Sequence, residues 1–270
     1  MISFVTVNYN NSDFTIKYIE SIKKLKNYDE HNNKIIIVDN ASNDTDITKL
    51  NDYCDSLDDV EIVKSKTNLG YFKGLNLGLS RIYNIKEHAG IVVGNNDITF
   101  NEDFLEIFAK RKYPDRTFVI APNIVTKDGV MQNPHVIDSV GKWHKLKSDL
   151  YFINYYLTKM SKMVLKIFRR NKKKKKKISI TQPTIIKRGI GACYILLPAF
   201  FIEYDKLDDS VFMWGEEALL SNQVEKASGF TVYDPELKMV HFESASVSKM
   251  PSKKKYIITK SSYKKYRKYL

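Results

Sequence analysis

The chain has 270 residues with a net charge of +13, and 43% of its residues are hydrophobic. This length suits one large domain or a domain with a substantial insert, with enough apolar residues to bury a core. No run of about 18 apolar residues occurs, which argues against a transmembrane helix, and the first residues lack the features of a signal peptide. Two distant cysteines, Cys54 and Cys193, predict free thiols in a reducing compartment.

The positive charge is concentrated in two segments. Residues 158–177 contain eleven Lys or Arg and no acid, and residues 249–270 contain nine Lys or Arg and no acid. Without these cations, the remainder of the chain has a net charge of −7. This distribution argues against a protein that coats nucleic acid uniformly, and it favours two local patches that face an anionic surface.

The first half of the chain alternates between predicted strands and predicted helices. Short apolar runs predict five strands, at 2–9, 34–40, 60–65, 89–97 and 117–125. The segments between them predict four helices, at 13–25, 45–57, 70–84 and 101–111. Nearly continuous apolar strands separated by helices are typical of a parallel sheet that is covered on both faces.

The second half is less regular. The sequence predicts loops and short strand pieces over 126–150, then a helix that runs into a lysine tract over 151–177. A turn of small residues enters a strand within 189–198, and a helix follows over 213–228. Within 230–242, Pro235 is expected to separate two short strands.

Polar residues follow three of the predicted strands at the points where these strands end. The three clusters are Asn8-Tyr9-Asn10, Asp39-Asn40 and Asn95-Asn96-Asp97. Each cluster alone is compatible with a turn, but ligands of parallel sheets bind beyond the carboxyl ends of the strands, so together they indicate a site. No G-x-G-x-x-G or Walker A motif occurs, which argues against a dinucleotide dehydrogenase or a P-loop enzyme.

Six motifs occur in an order that resembles a known family. They are VNYNN (7–11), VDNASND (38–44), NLGYFKGLNLG (68–78), GNND (94–97), GACYILLP (191–198) and the segment from FMWGEEALLSNQ to FESAS (212–246). Together they resemble the family 2 glycosyltransferases, especially the bacterial rhamnosyltransferase-like branch, over roughly 1–248 apart from an insert near 145–185.

The resemblance implies a GT-A fold, an α/β architecture with a mostly parallel Rossmann-like sheet and helices on both faces. We expect this domain at 1–248, with a nucleotide-sugar half at about 1–125 and a smaller acceptor half at about 126–248. A basic amphipathic helical insert at about 151–177 and a basic C-terminal tail at 249–270 complete the expected organisation.

The resemblance also implies a divalent metal, Mn²⁺ or Mg²⁺, at the end of the fourth strand. The family often has a D-x-D motif there, whereas only Asp97 is a carboxylate in this chain, and Asn95 stands at the first position. Asp97, the diphosphate of the substrate and water would therefore be the main ligands. His241 resembles a late histidine of the family and would be an additional ligand, with a core or strand histidine as the alternative interpretation.

A nucleotide-sugar site is implied along the same strand ends. Asp39 resembles the carboxylate that hydrogen-bonds the nucleotide base, where an acceptor-only group suits a base N–H. Lys73 would neutralise phosphate, with a solvated helix lysine as the alternative. The expected nucleotide-sugar-binding residues are Thr6, Asn8, Asn10, Asp39, Asn68, Gly70, Lys73, Asn95 and Asn96.

The resemblance implies that a pair of adjacent carboxylates at a helix start contains the general base. Here the pair is Glu216-Glu217, with Glu217 in the position of the base that deprotonates the acceptor hydroxyl. Adjacent carboxylates repel each other, so the pKa of one of them is expected to rise. Trp214 would offer a stacking platform for an acceptor sugar, with a packed core tryptophan as the alternative.

Residues 153–168 have apolar residues three to four apart and lysines on the opposing face, followed by Lys172–Lys177. This pattern, together with the Tyr- and Lys-rich C-terminus, favours an anionic membrane surface over nucleic acid, with a solvated loop as the alternative. We therefore expect a cytoplasmic protein that is peripheral on the inner face of the cell membrane.

The expected function is inverting transfer of a sugar from a UDP- or dTDP-sugar to a saccharide or lipid-linked saccharide in bacterial cell-surface polysaccharide synthesis. A nucleotidyltransferase is one alternative, although the first strand lacks the basic, glycine-rich signature that such enzymes carry. A non-catalytic membrane- or nucleic-acid-binding protein is the other, although it would not need Asp97 and Glu217.

Overall fold

A computed structural model describes residues 1–138, 141–156, 158–160, 180–243 and 251–270. The first half contains β1 (Ile2–Asn8), α1 (Ser12–Lys23), β2 (Lys34–Asp39), α2 (Asp44–Cys54), β3 (Val60–Lys64), α3 (Tyr71–Leu79), β4 (Gly90–Asn95), β5 (Ile98–Phe100), α4 (Phe104–Lys110) and β6 (Thr117–Thr126). The second half contains α5 (Lys142–Tyr151), β7 (Thr184–Ile186), β8 (Cys193–Leu196), α6 (Pro198–Glu203), α7 (Glu216–Lys226), β9 (Phe230–His241) and α8 (Ser252–Tyr266).

One sheet of nine strands, among the residues described, runs through the molecule in the order β3-β2-β1-β4-β8-β6-β9-β5, with β7 paired to β9. Strands β3, β2, β1 and β4 are parallel. Asn8 is in register with Asp39, and its neighbour Val7 is in register with Asn95. The three polar clusters therefore meet at one sheet edge, which confirms the prediction from the strand ends.

The second half of the sheet brings a distant strand next to the fourth one. Strand β8 is antiparallel to both β4 and β6, and β9 runs parallel to β6. The short strand β5 is antiparallel to β9, with Ile98 opposite His241. This pairing places the end of β9 beside the turn that follows β4.

Both faces of the parallel strands are buried under helices. Phe4 packs on one face in a cluster with Ile19 of α1, and Val5 packs on the other face in a cluster with Leu75 of α3. Successive strand residues point to opposite faces, so a continuous apolar run serves two cores. The predicted α/β class with helices on both faces is confirmed.

Two expectations for the second half were wrong. Residues 126–150 were expected to form only loops and strand pieces, but α5 begins at Lys142; its Asp149 accepts a hydrogen bond from Tyr263 of α8 at 2.7 Å. Pro235 does not divide β9, because the register shifts there and the strand continues past it. Asn123 Nδ2 donates to the Pro235 carbonyl at 3.0 Å and so secures the irregular stretch.

The two basic segments also differ from their predicted form. The helix expected over 151–177 is interrupted, since α5 ends at Tyr151 and residues 152–154 are not helical; residues 161–179 lie outside the described residues. The expected tail at 249–270 contains the fifteen-residue helix α8. Within the part of the chain that is described, no helix has the length and apolarity needed to cross a bilayer. Cys54 and Cys193 are free and buried.

Candidate functional site

A cavity of about 740 Å³ opens at the edge where the strands β1, β2 and β4 end. We call the part that the polar clusters line its floor, and α8 contributes further lining residues. Its lining residues are Val7, Tyr9, Asn11, Asn40, Asn68, Gly70, Tyr71, Asn95, Asn96, Asp97, Gln132, Ile190, Phe212, Met213, Trp214, His241, Glu243, Lys254, Lys255 and Ile258.

Asp97 and His241 lie together on this floor, although 143 residues separate them in the chain. Asp97 occupies the turn between β4 and β5, and the pairing of β5 with β9 carries His241 to it. His241 Nε2 lies 3.2 Å from Asp97 Oδ1, and the Phe242 amide donates to the Asp97 carbonyl at 2.9 Å. Both side chains are largely buried, so the backbone fixes their relative position.

A chain of side-chain contacts orients the His241 ring. Gln132 Nε2 donates to Glu243 Oε1 at 2.8 Å, which leaves Gln132 Oε1 facing His241 Nδ1, also at 2.8 Å. Because an amide oxygen only accepts, His241 carries its proton on Nδ1 in this arrangement. In the neutral ring, Nε2 is then the nitrogen with the free lone pair, and it lies on the side of Asp97.

The Asp97–His241 pair fits a divalent metal. Two atoms that bind one cation at right angles, each at about 2.1 Å, are about 3 Å apart. The observed distance between Asp97 Oδ1 and His241 Nε2 is close to this value. A neutral imidazole whose other nitrogen is hydrogen-bonded is the usual form of a histidine ligand. Among the described residues, no group of three or more His, Cys, Asp or Glu could hold a metal. Such an ion would take its remaining ligands from substrate and water.

The polar cluster below the cavity is tightly hydrogen-bonded. Asn8 is fully buried; its Nδ2 donates to Asp39 at 3.1 Å and to Asp46 at 2.8 Å, and its Oδ1 accepts from Thr15 at 2.8 Å. The Ser42 amide donates to the other Asp39 oxygen at 3.2 Å. Asn8 and Asp39 thus lie behind the lining residues, where Asn8 holds the carboxylate of Asp39 in place.

Two more residues of the predicted first-strand set lie outside the cavity lining. Thr6 is fully buried and donates to the Gly94 carbonyl at 2.9 Å, which ties β1 to β4. Asn10 is exposed and accepts from the Asn43 backbone amide at 2.8 Å. These contacts position the strand ends and the loop beside them.

The loop after β3 forms one rim of the cavity. Gly70 has φ of +87°, and a Cβ atom there would lie 2.2 Å from the Phe212 carbonyl oxygen, so glycine is required. Asn68 accepts from the Gly70 amide at 3.0 Å, and Asn40 donates to both Asn68 and the Gly70 carbonyl. Asn40 is therefore the side chain that fixes this rim. Lys73 is exposed on α3, away from the lining residues.

Asn95 and Asn96 have different surroundings within the turn. Asn95 lines the cavity, and its Nδ2 lies 3.4 Å from His241 Nε2. Asn96 is buried and donates to Thr15 Oγ1 at 2.7 Å, so it links the turn to α1. The first amide contacts His241 in the cavity, and the second holds the turn that presents Asp97.

The predicted carboxylate pair begins α7, just behind Trp214. Trp214 lines the cavity, whereas neither glutamate does. Glu217 Oε1 accepts from the Gly191 amide at 3.3 Å, next to the lining residue Ile190. Arg188 lies behind it; burial lowers the pKa of Arg188, and the charge of Glu217 opposes that change.

Glu216 is far more buried than Glu217. Its side chain is 4% exposed, and its Oε1 has no hydrogen-bond partner among the described residues. Desolvation, and secondarily repulsion from Glu217, raises the pKa of Glu216 to about 8. At neutral pH, Glu216 is therefore mostly protonated.

Helix α8 supplies cavity residues that the sequence patterns did not assign to the site. Lys254, Lys255 and Ile258 line the cavity, and Lys255 Nζ lies 5.3 Å from the centre of the Trp214 ring. The basic composition of this segment was visible, but its position in the fold was not. Asn40 stands in one of the predicted strand-end clusters but was given no binding role, and no sequence signal marks Gln132.

Comparison with family models and with curated proteins points to glycosyltransferases. Residues 3–188 match the model of glycosyl transferase family 2. The chain is 28% identical over 133 residues to the low-salt glycan biosynthesis hexosyltransferase Agl10 of Haloferax volcanii, a match that covers 49% of this chain and 39% of that protein.

Solved structures share the fold at low sequence identity. GalNAc-T7 with UDP, GalNAc and Mn²⁺ superposes with a TM-score of 0.67 and 15% identity over 99% of this chain and 48% of that one. The mannosyltransferase PcManGT of Pyrobaculum calidifontis with GDP-Man and Mn²⁺ superposes with a TM-score of 0.57 and 10% identity, over 91% of this chain and 57% of that one. S. aureus TarS 1-349 with UDP-GlcNAc superposes with a TM-score of 0.55 and 14% identity, over 93% of this chain and 61% of that one.

This chain spans less than two thirds of the length of each of these proteins. The fold is that of the GT-A glycosyltransferases. Since the family model covers more than half of the chain, the protein belongs to glycosyl transferase family 2.

Proposed function

We propose that this glycosyltransferase moves a hexosyl group, with inversion, from a nucleotide-diphosphate sugar to a saccharide or lipid-linked saccharide acceptor. The observation that carries the proposal is the Asp97–His241 pair, which lines a cavity that two lysines of α8 also line. A carboxylate, an oriented imidazole and nearby cations suit a diphosphate leaving group. The order of the six motifs supports the rhamnosyltransferase-like branch and a UDP- or dTDP-sugar donor.

The donor nucleotide would lie along the ends of β1 and β2. Asp39 uses each oxygen for one hydrogen bond to the protein, so each keeps acceptor capacity toward a base N–H. Asn68 and Gly70 would form the rim over the nucleotide. Two proteins of the same fold were solved with nucleotide sugars, GDP-Man and UDP-GlcNAc, which supports a nucleotide sugar as the donor.

Asp97 and His241 would hold Mn²⁺ or Mg²⁺. When bound, the ion would neutralise charge that develops on the diphosphate. Lys254 and Lys255, which line the same cavity, would add positive charge from α8. Gln132 keeps the His241 proton on Nδ1 and so preserves the lone pair on Nε2.

Glu217 would act as the general base toward the acceptor hydroxyl. Its position next to Ile190 puts it directly behind the cavity wall, and Trp214 would stack on the acceptor sugar. Glu216, kept mostly neutral by burial, would avoid a second charge beside the base. Inversion follows from a single displacement, in which the hydroxyl attacks as the diphosphate leaves.

The basic segments support a peripheral position at the inner face of the cell membrane, where lipid-linked acceptors of bacterial surface polysaccharides are found. The relative from Haloferax is named for glycan biosynthesis, which agrees with such a role. We further propose the domain organisation stated above, with the nucleotide-sugar half at 1–125 and the acceptor half at 126–248.

A panel of UDP-, dTDP- and GDP-sugars with Mn²⁺ tests the proposal through release of the nucleoside diphosphate and through binding. We expect one sugar to bind and hydrolyse slowly without acceptor, and Asp97→Asn to abolish the metal dependence. Failure of every nucleotide sugar to bind, at saturating Mn²⁺, would overturn the proposed function.

A further inference from the structure

Helix α5 carries an apolar stripe that nothing in the described structure covers. Trp143, Leu146 and Leu150, spaced as one helical face, are 75%, 46% and 59% exposed. A different face of α5 is the one that packs: Asp149 accepts from Tyr263 at 2.7 Å, and just beyond the helix Phe152 stacks on Tyr263 at 4.6 Å. The helix is thus docked on α8 with its apolar side outward.

The stripe continues beyond α5. Ile153 and Tyr156 follow it in the chain and are exposed, and Ile257 is exposed on the adjoining helix α8. Lys260 donates to the Ile153 carbonyl at 3.0 Å, so α8 and this segment are in direct contact. We call Trp143, Leu146, Leu150, Ile153, Tyr156 and Ile257 the docking face.

Cations surround the docking face. Lys253, Lys260 and Lys264 fall on the same side of α8 as Ile257 by helical spacing. Residues 141–160 contain four lysines and residues 251–270 contain eight Lys or Arg, with Asp149 as the one acid in either range. Asp149 is engaged by Tyr263 and by Arg267 at 2.8 Å, so its charge is compensated.

The combination of exposed apolar side chains and uncompensated cations restricts the partner. A second copy of the chain would bring one cationic surface against another, at a cost in repulsion. A nucleic acid would pair with the lysines but would leave the leucines and isoleucines without an apolar environment. An anionic lipid bilayer suits both the apolar side chains and the cations. Aliphatic and aromatic groups enter the headgroup boundary, while lysines contact lipid phosphates.

We propose that the docking face binds an anionic bilayer surface and sets the orientation of the enzyme on it. This proposal rests on the proposed function, because the docking would serve to bring the cavity close to a lipid-linked acceptor. Lys254 and Ile258 line the cavity from one side of α8, and Lys253 and Ile257 face outward from the adjacent side. A helix with its side chains is about 10 Å across, so the bilayer surface would lie close to the cavity wall.

Flotation of the full chain with vesicles tests the proposal. We expect binding to phosphatidylcholine vesicles that contain about one third phosphatidylglycerol, weak binding without it, and loss of binding at high salt. Leu146→Ser with Leu150→Ser should weaken binding at least about tenfold, because two leucines leave the headgroup boundary. Ile202→Ser and Tyr83→Ser, at exposed apolar positions elsewhere, are matched controls and should bind as wild type.

Tryptophan fluorescence gives a second readout that does not alter the docking face. The chain has two tryptophans, so in Trp214→Phe the emission reports Trp143 alone. A blue shift on adding anionic vesicles is expected. No shift, or equal flotation of the leucine variant and wild type, would overturn the proposal.

Two other results would also overturn it: a dimer that the leucine variant dissociates without lipid, and RNA binding that depends on the same leucines. Nucleotide-sugar hydrolysis, measured without lipid, separates this proposal from the proposed function. Intact hydrolysis with no vesicle binding would reject only the docking face.

Discussion

Glu216 and Glu217 show how neighbouring residues of one type acquire different properties. Glu217 remains partly exposed and accepts a backbone hydrogen bond, whereas Glu216 is buried at the start of α7 without a hydrogen-bond partner for Oε1 in the described structure. The resemblance singled out the pair, and the expectation that one pKa rises agrees with the value of about 8 for Glu216. Which of the two is buried could not be read from the sequence, since it depends on the packing around α7.

The first prediction concerns the transfer activity of two variants, Glu217→Gln and Glu216→Gln. Glu217→Gln should retain nucleotide-sugar binding and lose transfer by about 10²–10⁴-fold, the usual contribution of a general base. Glu216→Gln imitates the neutral acid and should lose much less at pH 7. Transfer assays beside donor titrations check this, and a Glu217→Gln enzyme close to wild-type rate would refute the base assignment.

The second prediction concerns stability against pH. The pKa of Glu216 is about 8 in the folded chain, above its ordinary value of 4.5, so the folded state binds more protons between these values. Stability is therefore greatest below the lower pKa and falls as pH rises through the window to about 8, by at most about 1.4 kcal/mol per unit from this group.

Urea unfolding at pH 5, 7 and 9 measures this slope. Glu216→Gln should flatten it, and the variant should be more stable than wild type at pH 9. An unchanged slope in the variant would show that other groups cause the pH dependence.

The third prediction concerns Gln132, which orients the ring of His241. Gln132→Ala should weaken Mn²⁺ binding by about 10–100-fold, the usual effect of removing a partner of a metal-bound histidine. Isothermal titration of Mn²⁺ in the presence of UDP measures the change, and UDP binding without metal is the control. Equal loss of both affinities would indicate a structural defect instead.

At the level of elements, α3 packs unusually close to the sheet. A Cβ atom at Gly78 would lie 2.4 Å from Val5 Cγ1 and 3.1 Å from Val38 Cγ2. At Gly74, one turn earlier, the nearest atom would be Val7 Cγ2 at 3.0 Å. The helix therefore approaches β1 and β2 most closely through Gly78, whose lack of a side chain makes room.

The fourth prediction compares these two glycines. Gly78→Ala should destabilise the protein by about 1–3 kcal/mol through overpacking, although alanine favours the helix by up to about 1 kcal/mol. Gly74→Ala should change stability much less, because the contact there is near the tolerated range. Urea midpoints of both variants test this, and equal effects would contradict the close approach at Gly78.

Elements in the first half could be predicted because each carries its own periodic signal. Strands β1, β2 and β4 are continuous apolar runs, and their parallel pairing follows from the intervening helices. Helix α5 could not be predicted in the same way, because its apolar residues face outward and its stability depends on α8. The continuity of β9 through Pro235 depends on a register shift against β6, which is a tertiary feature.

At the scale of the whole molecule, the cavity joins residues from both ends of the chain. Asp97, in the matched region, lines the same cavity as Lys254 and Lys255. The resemblance supplied Asp97 and His241 through their motifs, but the lysines were assigned only to a surface. Their contribution depends on where α8 packs, a contact between segments far apart in sequence that no local pattern encodes.

Because α8 is a wall of the cavity on one side and part of the docking face on the other, two binding equilibria share one element. Free-energy coupling between such sites is reciprocal, so any factor by which anionic vesicles change the dissociation constant of the nucleotide sugar must also appear when that sugar changes vesicle affinity. We expect positive coupling, since ordering α8 from either side lowers the entropic cost for the other. Donor titrations with and without vesicles, and vesicle titrations with and without donor, should give the same factor.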